Sequence, residues 1–132
     1  MKLKLVLAAR VLLGLIFFVF GLNFFFHFIP QPPMPPAAGA FAGAMFATGY
    51  IFVLLKVVEV VCGALLLAGR FVPLALALLA PIVVNILFFH AFLAPAGIVL
   101  PLVVLALEIY LAWAYRGVYR PMLAARPAPT ER

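Results

Sequence analysis

Eight side chains that can carry charge, pass protons or make paired hydrogen bonds lie inside long apolar runs of this chain. They are Arg10, Asn23, His27, Lys56, Glu59, Asn85, His90 and Glu108. A charge at mid-bilayer costs at least about 2.5–3.5 kcal/mol, so such groups must turn inward and find partners. Lys56 and Glu59 are three residues apart and therefore share a helix face, which Phe52, Gly63 and Leu66 continue. Helical rise places Lys56 and Glu108 near mid-membrane, with Glu59 one turn further toward Arg10. The expected network is Arg10–Glu59 and Lys56–Glu108, which leaves no net buried charge. Its function is either structural or a proton relay, and the default inside a membrane is functional.

His27 and His90 occupy a different layer, within about two turns of the opposite membrane surface. Phe24, Phe25, Phe26 and Phe28 flank one; Phe88, Phe89 and Phe92 flank the other. Flat aromatic faces with one or two hydrogen-bonding heads suit a quinone ring. Two histidines on facing helices also raise bis-histidine haem ligation, but two histidines alone favour the quinone over haem. Asn23, His27, Asn85 and His90 are the candidate ligand-binding set; for the two asparagines, interhelical hydrogen bonding is the stronger reading. No metal-ligand cluster, nucleotide loop or triad-like set occurs, and no catalytic residue is assigned. The single cysteine, Cys62, excludes an internal disulfide and reads as a small core residue.

These groups need elements to hold them, and the elements are transmembrane helices. Of 132 residues 70% are hydrophobic and 9% charged, too much apolar surface for so small a soluble domain to bury. The apolar runs cover about residues 5–29, 46–68, 72–93 and 98–115. A bilayer core of about 30 Å needs about 20 helical residues; three runs meet that and the fourth barely does. The fold class is all-α: one domain over 1–132, a polytopic four-transmembrane-helix bundle. A cleaved signal peptide is disfavoured, because the first run is too long and contains Arg10.

Breakers divide the runs. Prolines at 30, 32, 33, 35 and 36 make the 30–37 loop a stiff extended strap. Small residues with Phe41 and Phe46 then suggest a short interfacial helix or an early start to the second span. Gly69-Arg70 predicts a tight turn, Pro73 opens the third span, Pro81 should kink it and Pro95 should stop it. Gly14 and Gly21, in line with Arg10, predict a close-packing face. The chain also resembles two tandem hairpins, pairing Asn23…His27 with Asn85…His90 and Glu59 with Glu108.

Arg10-Val-Leu-Leu-Gly14, continuing through Gly21 to Asn23, resembles the opening signature of the DoxX family of small four-helix membrane proteins. Glu59-Val-Val-Cys-Gly63, continuing to Gly69-Arg70, is similar to that family's second-helix ending, and 70–95 resembles its bacterial members. The likeness runs over about residues 8–120; Arg10, Gly14, Gly21, Glu59, Gly63 and Arg70 match the signature. The family's namesake is associated with thiosulfate:quinone oxidoreductase, and other relatives accompany redox or assembly systems. The resemblance therefore implies a multi-pass protein of the bacterial inner membrane, a subunit or accessory of a quinone-linked redox system. Its partners would be the bilayer and a membrane or periplasmic redox protein, with no nucleic acid; homo-oligomerisation stays open. The alternative is a non-catalytic assembly factor, or a small transporter with a structural or proton-relay charged core.

Lys2 and Lys4 precede the first run, Arg70 separates the second and third, and Arg116, Arg120, Arg126 and Arg132 follow the fourth. The remaining two connections hold no lysine or arginine. Basic residues collect on the cytoplasmic side, which puts both termini inside, the proline strap outside, and Trp113, Tyr115 and Tyr119 at the inner interface. A cysteine at Gln31 should therefore label from the periplasm and one at Thr130 should not. The reverse pattern of labelling would overturn the orientation.

Overall fold

A computed structural model describes residues 2–131, so Arg132 and the two ends of the 1–132 domain range lie outside the described residues. Among the described residues there are helices and no strands. Helix α1 spans Leu3–Phe26, α2 Pro36–Ala47, α3 Ile51–Ala68, α4 Val72–Leu93, α5 Val99–Ala114 and α6 Arg116–Tyr119. Short 3-10 turns occupy Pro95–Gly97 and Pro121–Leu123. Helices α1, α3 and α4 are each long and apolar enough to cross a membrane. Sixteen residues give α5 a length of only about 24 Å, and it reaches span length only with its continuation to Leu123, which bends away by 71°.

Four helices close a ring in which α1 packs on α3 and α5, and α4 packs on the same two. Three contacts fix their antiparallel order. Arg10 near the start of α1 lies against Gly69 at the end of α3. The Tyr119 hydroxyl after α5 donates to the Pro73 carbonyl at the start of α4, at 2.5 Å. His90 near the end of α4 lies against Gly97 before α5. Lys2, Lys4, Arg70, Arg116 and Arg120 thus gather at one end of the bundle, and the proline strap at the other.

The helix ends follow the expected breakers. Gly69 adopts φ 71°, its N–H reaches Leu66 O, and the Arg70 N–H reaches back to Leu65 O. That pair of bonds is the glycine-dependent Schellman ending. Phe71 follows with φ 54°, and Pro73 stands in the first turn of α4, where a missing N–H costs nothing. Helix α4 runs without interruption past Pro81 to Leu93, and Pro95 begins the next turn. Two boundaries differ from the sequence reading. The first helix stops at Phe26 rather than 29, and α3 starts at Ile51 rather than 46; of the two readings for the stretch between, the short helix holds, as α2, laid over α3 and α4.

The α1–α3 seam is the tightest in the bundle. A Cβ placed on Gly63 would lie 2.6 Å from the Phe18 backbone nitrogen and 2.9 Å from Gly14 O. On Gly21 it would fall 2.7 Å from the Val60 side chain. Glycine is required here because the obstacles at Gly63 are backbone atoms, which no rotamer can move. Lipid gives helices little hydrophobic reason to associate, so this close contact supplies van der Waals attraction instead. Gly63→Ala should lower stability by about 1–3 kcal/mol through overpacking. Gly39→Ala in α2, where a Cβ meets nothing within 4 Å, should raise it by about 0.5–1 kcal/mol. Unfolding titrations of both variants in one detergent check the contrast.

Candidate functional site

The polar interior assembles differently from the expected network. Lys56 Nζ lies 3.2 Å from Glu59 Oε2, a pair one turn apart on α3 and the only ion pair among the described residues. Arg10 does not pair with Glu59. Its guanidinium covers Gly69, so close that a Cβ there would collide with Nη1. Glu59 is ten residues back along α3, about 15 Å away by helical rise and beyond the reach of one side chain. At Gly69 the guanidinium instead faces the negative end of the α3 dipole. Lys56 does not pair with Glu108 either. Glu108 Oε2 is buried without a hydrogen-bond partner among the described residues, on a groove between α4 and α5.

Members of the two layers expected to be separate meet at one place. Lys56, Glu59, Ile86 and His90 together line two cavities, one on either side of them. The first, about 170 Å³, lies in the α3–α4 seam and is closed over by Met34 of the strap and by Phe41 and Met45 of α2. The second, about 230 Å³, lies inside the ring against Phe17, Phe20 and Val104. Lys56, 23% exposed against 5% for Glu59, turns its ammonium into this space while Glu59 backs it from the bundle interior. His90 is fixed by its Nδ1–H, which donates to Ile86 O at 2.9 Å. Neutral His90 therefore carries its lone pair on Nε2.

Of the four expected ligand residues, Asn85 and His90 line the first cavity, while Asn23 and His27 line neither. Asn23 is buried and clasps the chain after α1: Ile29 N–H donates to its Oδ1 at 2.6 Å, and its Nδ2 donates to Ile29 O at 3.2 Å. The clasp turns the chain outward and leaves His27 exposed in the left-handed region, at φ 54°. His27 therefore lies outside both cavities that His90 lines. The tandem hairpins are equally unlike in detail, since α4 continues past His90 whereas α1 ends before His27. The aromatic wall is also different. Phe26, Phe28, Phe88 and Phe92 are exposed, and the cavity draws on Phe41, Phe52 and Phe89. Phe41 and Phe89 meet with centroids 5.9 Å apart, and Phe89 contacts the His90 ring edge-on at 5.2 Å. Met34, Phe41 and Met45 were missed from sequence; a strap ending in a short helix with methionines on both sides was the available signal.

The arrangement defines a helical membrane protein with a charged, roofed partition between two ring-sized cavities. The DoxX family profile matches residues 5–92, and the chain belongs to the DoxX family. The matched stretch runs from α1 to nearly the end of α4, shorter than the likeness expected to reach 120, so α5 and Glu108 lie outside it. No curated protein and no solved structure gives a match.

Removing Glu59 strands the Lys56 cation. Glu59→Leu should cost about 3 kcal/mol, the low end for a broken buried pair because Lys56 is partly exposed. Combining it with Lys56→Met should recover most of that loss. The corresponding cycle between Lys56→Met and Glu108→Leu should be additive to within about 0.5 kcal/mol. Strong coupling in the second cycle and none in the first would overturn the pairing.

Proposed function

We propose that the partition binds the head group of a quinone, in a membrane subunit or accessory of a redox system of the bacterial inner membrane. The observation that carries this reading is the convergence of Lys56, Glu59 and His90 between two cavities of about 170 and 230 Å³. A cavity of about 150 Å³ accepts a benzene ring, so each has room for one ring. Phe41, Phe52 and Phe89 offer flat apolar faces to that ring. The α3–α4 seam lies on the lipid side of the bundle, so an isoprenoid tail can stay in the bilayer while the ring enters beneath α2.

The donors and acceptors suit both redox forms of such a ring. Lys56 donates to a quinone carbonyl. The Nε2 lone pair of neutral His90 accepts from a quinol hydroxyl, because its Nδ1–H is held by Ile86. Quinol oxidation releases two electrons and two protons. In this reading His90 receives one proton and the second leaves to water at the strap end. Glu59 balances the charge of Lys56, and a partner carrying oxidised flavin, ferric haem or a disulfide takes the two electrons. The chain binds and orients; the electron acceptor is the partner's.

Purified protein should be stabilised by added short-chain ubiquinone, by about 2.7 kcal/mol at a hundredfold excess over the dissociation constant. His90→Phe and Lys56→Met should each abolish that stabilisation, and His27→Phe should preserve it. An unchanged melting temperature for wild type with the quinone would transfer support to the assembly-factor reading.

A further inference from the structure

A third hollow lies on the neighbouring α4–α5 seam, toward the basic end, and shares no residue with the partition. It is a groove of about 720 Å³ between α4 and α5, floored at the basic end by the tail that bends away from α5 by 71°. Its walls are small or branched apolar side chains, among them Ala77, Ala80, Val84 and Ile109, all exposed. Its mouth carries Arg116 and Arg120. Arg116 is held in place: Nη1 donates to Trp113 O at 2.9 Å, and the guanidinium carbon sits 4.0 Å from the Trp113 ring centroid. Stacking and that one bond leave its other N–H donors free. Arg120 is exposed beside it. The acidic side chain that lines the groove, Glu108, is eight residues from Arg116, about 12 Å deeper by helical rise.

We propose that this groove binds one anionic phospholipid of the surrounding bilayer, its phosphodiester between Arg116 and Arg120 and its acyl chains along α4 and α5. Charge selects the occupant. Two guanidinium groups, with no carboxylate in the groove lining at their own depth, favour an anionic head group over a zwitterionic one, and a planar guanidinium bonds phosphate oxygens in pairs. Shape selects it as well. The bent tail, with Met122 and Leu123 at the groove, crosses the basic end where a membrane surface would lie. A partner's spanning helix would have to pass through that floor to leave the bilayer, whereas a lipid ends at that level.

The test uses the full chain in detergent with mixed micelles of phosphatidylglycerol or phosphatidylcholine, followed by thermal unfolding and native mass spectrometry. Wild type should prefer phosphatidylglycerol by about tenfold or more, falling about fivefold for each arginine neutralised in Arg116→Gln and Arg120→Gln. Arg70→Gln removes the same charge at the same end outside the groove, and should keep the preference. Ala80→Phe fills the groove while leaving both arginines, and should lose bound lipid, which keeps the test decisive if the Arg116 variant folds poorly. Equal binding of the two lipids overturns the proposal. So does an equal loss in Arg70→Gln, which would mark general surface charge, or an equal shift with inorganic phosphate, which would mark a free-anion site. Retention of the lipid preference in Ala80→Phe overturns it also.

Discussion

A cation inside an apolar bundle must have its counter-charge within a few ångströms, and Lys56 finds one on its own helix. At 3.2 Å, Glu59 neutralises Lys56 without help from any other element. Desolvating two charges is costly and only close, well-supported geometry offsets it. An i,i+3 pair meets that need before the bundle assembles, because both groups already share a face of α3. The remaining helices are then free to pack on that face by shape. Gly63, one turn beyond Glu59, brings the α1 backbone close, and Gly21 admits α1 beside Lys56 and Val60. The polar pair and the glycine seam lie along one helix and stabilise one another's placement: the seam excludes lipid, and the pair keeps that excluded volume electrically neutral.

Balanced at the Lys56–Glu59 pair, the molecule is unlike at its two ends. At the strap end the helices stop early, α1 at Phe26 and α3 at Ile51, and the gap is bridged by the Asn23 clasp, the prolines and α2. Roofing of this kind encloses small cavities without filling them, since a strap of prolines cannot collapse inward to pack. Helices at the basic end run closer to full length, and the core is dense with Leu13, Leu66, Leu76, Leu79 and Leu111. Arg10 serves that end too, lying over Gly69 against the carbonyl terminus of α3. One end is therefore built to enclose a small polar chamber, and the other to meet the head-group layer of a membrane.

Much of this was legible in the residues. The all-helical membrane class, the turn at Gly69, the break at Pro95 and the glycine face of α1 follow from periodicity and from what glycine and proline permit, which are local properties. The family likeness was equally readable, because its signature lies on α1 and α3. What failed were statements about partners across helices. Depth counted along each run placed Arg10 near Glu59, but Arg10 lies level with Gly69, about 15 Å further along α3. The same count placed Lys56 near Glu108, but depth carries no azimuth, and rotation about the helix axis turns those two into different hollows. The paired histidines failed for a different reason. Asn23 uses its side chain on Ile29, ends α1 three residues early and turns His27 outward, a local capping event hidden among phenylalanines.

The sequence by itself determined that this is a membrane protein with buried charge, because hydropathy and the cost of stranded ions depend only on which residues lie in each run. It also put Lys56 and Glu59 on one helix face by their three-residue spacing, although the partners read for them were Glu108 and Arg10. Only the tertiary structure decided that His90 and Asn85, from α4, join that pair beneath a roof formed by α2, and that Glu108 faces a separate groove. The physical reason is that these relations join residues far apart in the chain. They are fixed by how α1, α3, α4 and α5 rotate to bury glycine against backbone and leucine against leucine, and no single run carries that information.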